Sequence, residues 1–144
     1  RLPEAQLDRF LFKIEVGYPD LEQEIQIIKN QHESKLDDKT SEVHQVISAA
    51  QLSRYQRLVR EILVEPQLLE YIAKIIVNTR ENQFLYLGAS PRASLALLVA
   101  SKAFAALRGR DFVTPEDIKD SAFAVLRHII MVSPERDMEG LTSD

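Results

Sequence analysis

The sequence predicts an all-α protein: a helical bundle of about five helices, fronted by a short N-terminal helix-strand stub. Three observations carry that expectation. Apolar residues recur at helical spacing in five successive segments between residues 20 and 126. Pro19, Pro66, Pro91 and Pro115 each stand at a helix start, where a missing N–H costs nothing. Only residues 11–16 (Leu-Phe-Lys-Ile-Glu-Val) alternate as a strand does. One strand makes no sheet, so it is expected to pair outside this chain or to be frayed.

The elements follow in order. Residues 3–10 read as a helical turn opened by Pro3, and Gly17-Tyr18-Pro19-Asp20 as a joint. A helix then runs to about Gln31, with Leu21, Ile25 and Ile28 on one face and Asp20, Glu22 and Glu24 suiting its positive end. Residues 33–42 are polar and read as a loop, and Val43 and Val46 as a short extended piece. Ser48 caps a helix to roughly Leu63, with Leu52, Tyr55, Leu58, Val59 and Ile62 as its stripe. Pro66 begins the next, which ends near Arg80–Asn82 and turns Leu69, Ile72, Ala73, Ile76 and Val77 inward. Residues 83–88 connect it to a helix opened by Ser90-Pro91 and closed by Gly109, apolar almost all round and hence central. Thr114-Pro115 opens the last helix, with Ile118, Ala122, Val125 and Leu126 inward, and the polar tail from Ser133 reads as loose.

Composition narrows the function. At 144 residues, 45% hydrophobic and 28% charged, the chain has the make-up of one globular domain. It has no Cys, which excludes disulfides and thiolate chemistry, and its three His (32, 44, 128) show no metal-ligand spacing, so no metal site is expected. A net charge of −4 argues against a nucleic-acid surface. No apolar run approaches a membrane span, and Arg1-Leu2-Pro3-Glu4 is not a signal sequence, so a cytoplasmic location is expected. Without an initiator Met, the chain reads as a fragment of a longer protein.

Two helix starts differ in charge. Thr114-Pro115 continues with Glu116 and Asp117, carboxylates that oppose the positive helix end and help cap it. Ser90-Pro91 continues with Arg92, a cation at that positive end. The dipole penalty is about 0.3–1 kcal/mol, and an anion brought there would reverse it. Arg92 therefore either reaches into solvent or pairs with an acid such as Glu70, or it awaits an anion. Arg9, within Leu7-Asp8-Arg9-Phe10, poses the same choice between a local ion pair or packed stem and a charge presented to a phosphate.

Leu2-Pro3-Glu4-Ala5-Gln6-Leu7-Asp8-Arg9-Phe10 resembles the segment after sensor 1 in MoxR-type AAA+ ATPases. Gly88-Ala89-Ser90-Pro91-Arg92-Ala93-Ser94-Leu95 resembles their sensor 2 helix start. Leu107 to Ile118 resembles the stretch that follows, and Val125-Leu126-Arg127-His128 the last lid helix. One departure is Ile129, where the family commonly has a second basic residue.

The resemblance implies residues 1–17 as the end of an ATPase core and residues 18–144 as its helical lid. Arg92 would be the sensor 2 arginine acting in cis, with Ser90 and Pro91 beside it at the nucleotide, and Arg9 the arginine finger acting in trans. It also implies ATP and Mg2+ in the full-length protein, a ring that is a hexamer, and protein clients such as von Willebrand factor A domain proteins. No Gly is followed by Lys, so no P-loop is present, and no apolar strand ends in an Asp-Glu pair; this chain alone is expected not to hydrolyse ATP. The competing expectation is a stand-alone helical interaction module, since Phe112 to Ile118 also resembles the start of a histone-fold helix. A helix-turn-helix reading fails on the apolar helix from 91 and on charge. Glu65 with Glu70, and Asp37 with Asp38, read as solvated acids, and Tyr86 as a rim aromatic within reach of an adenine ring.

Overall fold

A computed structural model describes residues 4–33, 43–138 and 140. Leu2 and Pro3 of the N-terminal motif, residues 34–42 of the expected loop, and the acids Asp37 and Asp38 lie outside the described residues. The elements are α1 (Glu4–Leu7), α2 (Leu21–Glu33), α3 (Ala49–Glu61), α4 (Pro66–Glu81), β1 (Leu85–Leu87), α5 (Pro91–Leu107), α6 (Pro115–Leu126), β2 (Met131–Val132) and α7 (Pro134–Met138). Five of the helices have 12 to 17 residues, so the fold is all-α as predicted. No helix among the described residues is long and apolar enough to cross a membrane. The chain divides into two compact units, one of residues 15–53 and one of the segment up to Ile14 with Arg54 onward.

The smaller unit holds α2 and the start of α3. Both helices open on reciprocal caps. The Asp20 carboxylate accepts from the Gln23 N–H at 2.8 Å while Gln23 Oε1 accepts from the Asp20 N–H. Ser48 and Gln51 repeat the exchange, at 3.2 and 2.8 Å. Helix α2 has no buried residue, and the Leu21, Ile25 and Ile28 face is 75%, 44% and 66% exposed. So short a segment has too little apolar surface to exclude water.

The larger unit contains the core. Ile72, Ile76, Ala93, Leu97, Ala100, Ala105, Val113, Ile118 and Val125 are its buried centre. Each large side chain among them contributes about 1.5–3 kcal/mol by burial. The most extensive helix contact is that of α5 with α6. Across it the buried Ser101 and Ser121 hydroxyls lie 3.2 Å apart, each also within hydrogen-bond distance of a carbonyl of its own helix.

Three faces differ from expectation. Helix α5 is buried along one face only, and Leu95 and Val99 remain 66% and 54% exposed. Its composition, apolar all round, could not tell a central helix from one with a second face uncovered. Helix α4 is rotated from the expected stripe: Leu68, Ile72, Ile75 and Ile76 meet the core, while Leu69, Ala73 and Val77 face out. In α3, Leu52, Tyr55 and Leu58 are exposed, and burial begins only with Val59 and Ile62.

The connections carry more order than expected. Residues 85–87 form β1, antiparallel to β2, and Ser133 donates its N–H to the Phe84 carbonyl at 2.9 Å before α7 begins, so the tail from 133 starts on a short helix. Residues 11–16, expected as a strand, form no ladder among the described residues. Instead the Lys13 N–H donates to the Ala124 carbonyl at 2.9 Å, one of the last carbonyls of α6, which lack partners within the helix. Phe12 packs on the core beside it.

After α5 the chain reverses on Gly109, whose φ of +71° suits glycine. The Gly109 N–H bonds to Ala106 O and the Arg110 N–H to Ala105 O, closing the helix. Asp117 then does more than cap α6. It is fully buried, accepts from the Thr114 N–H at 2.9 Å, and meets Arg108 at 2.8 Å and Arg110 at 2.7 Å. Burial pushes this carboxyl up, but hydrogen bonds from Arg110 and Thr114 win, and its pKa falls to about 2.

Candidate functional site

The site begins at Gly88. A Cβ on this residue would lie 2.7 Å from the Arg80 Cα and from the Thr79 carbonyl oxygen, so only glycine lets the chain run this close to the end of α4. The next residue is then clamped on both sides. The Ala89 N–H donates to Thr79 Oγ1 at 2.9 Å, and its carbonyl accepts from Arg80 Nε at 2.8 Å. These contacts fix where α5 starts.

Ser90 occupies the N-cap position with extended backbone, and Pro91 is the first helical residue, as expected. The Ser90 hydroxyl, however, does not cap the helix. It donates to the Asp8 carboxylate at 2.8 Å. Arg92, in the first turn and 61% exposed, reaches the other oxygen of Asp8 at 3.3 Å. Its acid partner is thus Asp8 and not Glu70, which pairs with Lys74 at 3.0 Å. The first turn of α5 contains no acid of its own.

Arg9 follows Asp8 directly and is held between anchors. Asp8 binds the start of α5, the Phe10 carbonyl accepts from His128 Nε2 at 2.9 Å, and Lys13 is tied to α6. Arg9 itself is exposed and makes no ion pair among the described residues. Arg9 and Arg92 line one open groove of about 240 Å³, together with Asp8, Phe10, Leu95, Val99 and Ile129. Ile129 is 7% exposed and belongs to the core, which accounts for an apolar residue there. The groove is therefore lined by two arginines far apart in sequence and by Asp8, which pairs with Arg92.

Arg92, in the first turn of α5, suits an anion, since a guanidinium binds phosphate oxygens in pairs of parallel hydrogen bonds beside free helix N–H groups. Among the described residues no group of three His, Asp or Glu could hold a metal ion. Tyr86 lies on β1, is 74% exposed and is not part of the groove. Two contributors escaped the sequence reading. Asp8 and His128 both pair with residues far along the chain, Ser90 and Phe10, which local sequence does not reveal.

A family model described as the AAA lid domain matches residues 77–144, which include β1, α5, α6 and both ends of the groove's helical wall. Residues 77–144 are an AAA lid domain. The relatives extend the match upstream. The uncharacterized protein YeaC of Bacillus subtilis is 38% identical over 99% of this chain, and the chaperone MoxR1 of Mycobacterium tuberculosis 37% over 92%. A crystal structure of a protein from Cytophaga hutchinsonii, described there as an ATPase under provisional assignment, superposes with a TM-score of 0.87 at 30% identity over 99% of this chain. The chain spans 44%, 36% and 45% of those three proteins. The MoxR-type AAA+ resemblance drawn from four short motifs thus agrees with homology along nearly the whole chain, and Ser90, Pro91 and Arg92 lie inside the AAA lid domain.

Proposed function

We propose that this chain is the lid of a MoxR-type AAA+ ATPase. It closes over ATP bound by an ATPase core and couples hydrolysis to remodelling or assembly of protein clients. The observation that carries the reading is Arg92 in a first turn of α5 that holds no acid of its own. Arg92 stands where a helix start favours an anion. In the full-length protein it acts as sensor 2, meeting the phosphates of its own subunit, with Ser90 and Pro91 at the same turn. Arg9 acts as the arginine finger toward a neighbouring subunit. Both stabilise charge on the transferring phosphoryl group.

On this reading residues 1–17 are the end of the core and residues 18–144 the lid, and the partners are the protein's own core and the neighbouring subunits of a hexameric ring in the cytoplasm. Clients with von Willebrand factor A domains fit this class. Mg2+ would act with ATP, but the described residues offer it no ligand set, so no step here runs through the metal. The exposed Leu95 and Val99 beside the groove supply apolar surface for such contacts.

The trans role of Arg9 is tested by mixing. Full-length Arg9→Ala subunits are combined with subunits unable to bind phosphate. Recovery of part of the activity in mixed rings supports the finger, and rings that form without recovery reject it.

A further inference from the structure

We infer that Asp8 is a positioning residue which ties occupancy of the Arg92 site to the posture of Arg9. The inference rests on the lid reading above and deepens it. Asp8 accepts hydrogen bonds from Ser90 Oγ at 2.8 Å and from Arg92 at 3.3 Å, and these are the groups assigned above to a phosphate. An anion arriving at the start of α5 therefore competes with Asp8 for the same guanidinium. The exchange is easy, because Arg92 is 61% exposed and Asp8 27%, and an ion pair so hydrated is weak.

Release has a direction. Asp8 and Arg9 share one peptide bond, whereas Phe10 stays fixed by His128 and Lys13 by α6. The Arg9 N–H has only a long 3.4 Å bond to Gln6 O. Freeing Asp8 thus loosens the residue that carries the finger and leaves the following segment in place. A phosphate sensed in cis is converted into mobility of the arginine offered in trans, with Asp8 as the link.

The test uses the full-length protein and measures equilibrium binding of ATPγS and ADP, because only the triphosphate offers Arg92 a γ-phosphate. Asp8→Ala removes the competitor. It should tighten ATPγS by about two- to five-fold and leave ADP unchanged. Asp8→Asn, which keeps the shape and the Ser90 contact, should give part of that gain and serves if the alanine variant folds poorly. In an Arg92→Ala background the gain should vanish, since the contested guanidinium is gone. An unchanged ATPγS/ADP ratio in both Asp8 variants, with turnover still reduced by Arg92→Ala, overturns the inference and leaves the lid reading intact. A gain that persists without Arg92 also overturns it. If Arg92→Ala alters neither the ratio nor turnover, the lid reading falls and this inference with it.

Discussion

The carboxylate of Asp8 meets the guanidinium of Arg92 at 3.3 Å across 84 positions of chain. The contact sets the electrostatics of the start of α5. Without it, a cation in the first turn opposes the helix dipole alone. With it, the cation has a neutralising partner that also holds the Arg9 segment against the lid.

Arg92→Glu should therefore change sign with its background. In the natural chain it loses an exposed pair of about 0.2–1 kcal/mol and adds a carboxylate repulsion of similar size, which together should outweigh the dipole gain and destabilise. With Asp8→Ala already present, only the dipole acts, and the same change should stabilise by about 0.3–1 kcal/mol. Chemical denaturation of the four chains gives both numbers. Destabilisation in both backgrounds would make Arg92 a structural residue.

Gly88→Ala should cost about 1–3 kcal/mol, the range for an added methyl in a tight contact. The new Cβ would lie 2.7 Å from the α4 backbone, so the connection must lift away and carry Ser90 and Arg92 with it. Thermal unfolding checks the stability loss. A variant as stable as the natural chain would mean that this close approach does not position α5.

Asp117 gives the chain a pH dependence at the acid end. Its carboxyl falls from an ordinary 3.8 to about 2, so the unfolded chain binds the proton more tightly. The stabilisation is fully present above pH 3.8 and is lost as the pH drops toward about 2, some 2 kcal/mol in all. Asp117→Asn should be less stable at neutral pH and should flatten the slope in that window. An unaltered slope would show that another group titrates there.

Much of this was legible in sequence because it is local. The Ser48 and Thr114 caps, the starts at Pro66, Pro91 and Pro115 and the Gly109 stop depend on a few neighbouring residues and hold to within a residue or two, whereas α2 starts at Leu21, two residues after Pro19, with Asp20 as its cap. The anomaly at Arg92 was visible as a charge of the wrong sign. Its partner was not, because Glu70 and Asp8 are equally plausible acids until tertiary packing chooses between them. The same holds for the exposed face of α5: Leu95 and Leu97 are alike in any apolar count, and only tertiary packing buries one of them. Residues 11–16, expected to pair outside this chain or to be frayed, have no ladder among the described residues, and alternation alone says nothing about whether an orphan helix carbonyl takes the Lys13 N–H.

The most direct test of the lid account is ATP hydrolysis by the full-length protein carrying Arg92→Ala, with ATP binding measured in parallel. The account predicts a fall in turnover of about 10²–10³, the usual loss when one charge-stabilising donor is removed, while ATP still binds. Turnover equal to that of the natural protein would contradict it.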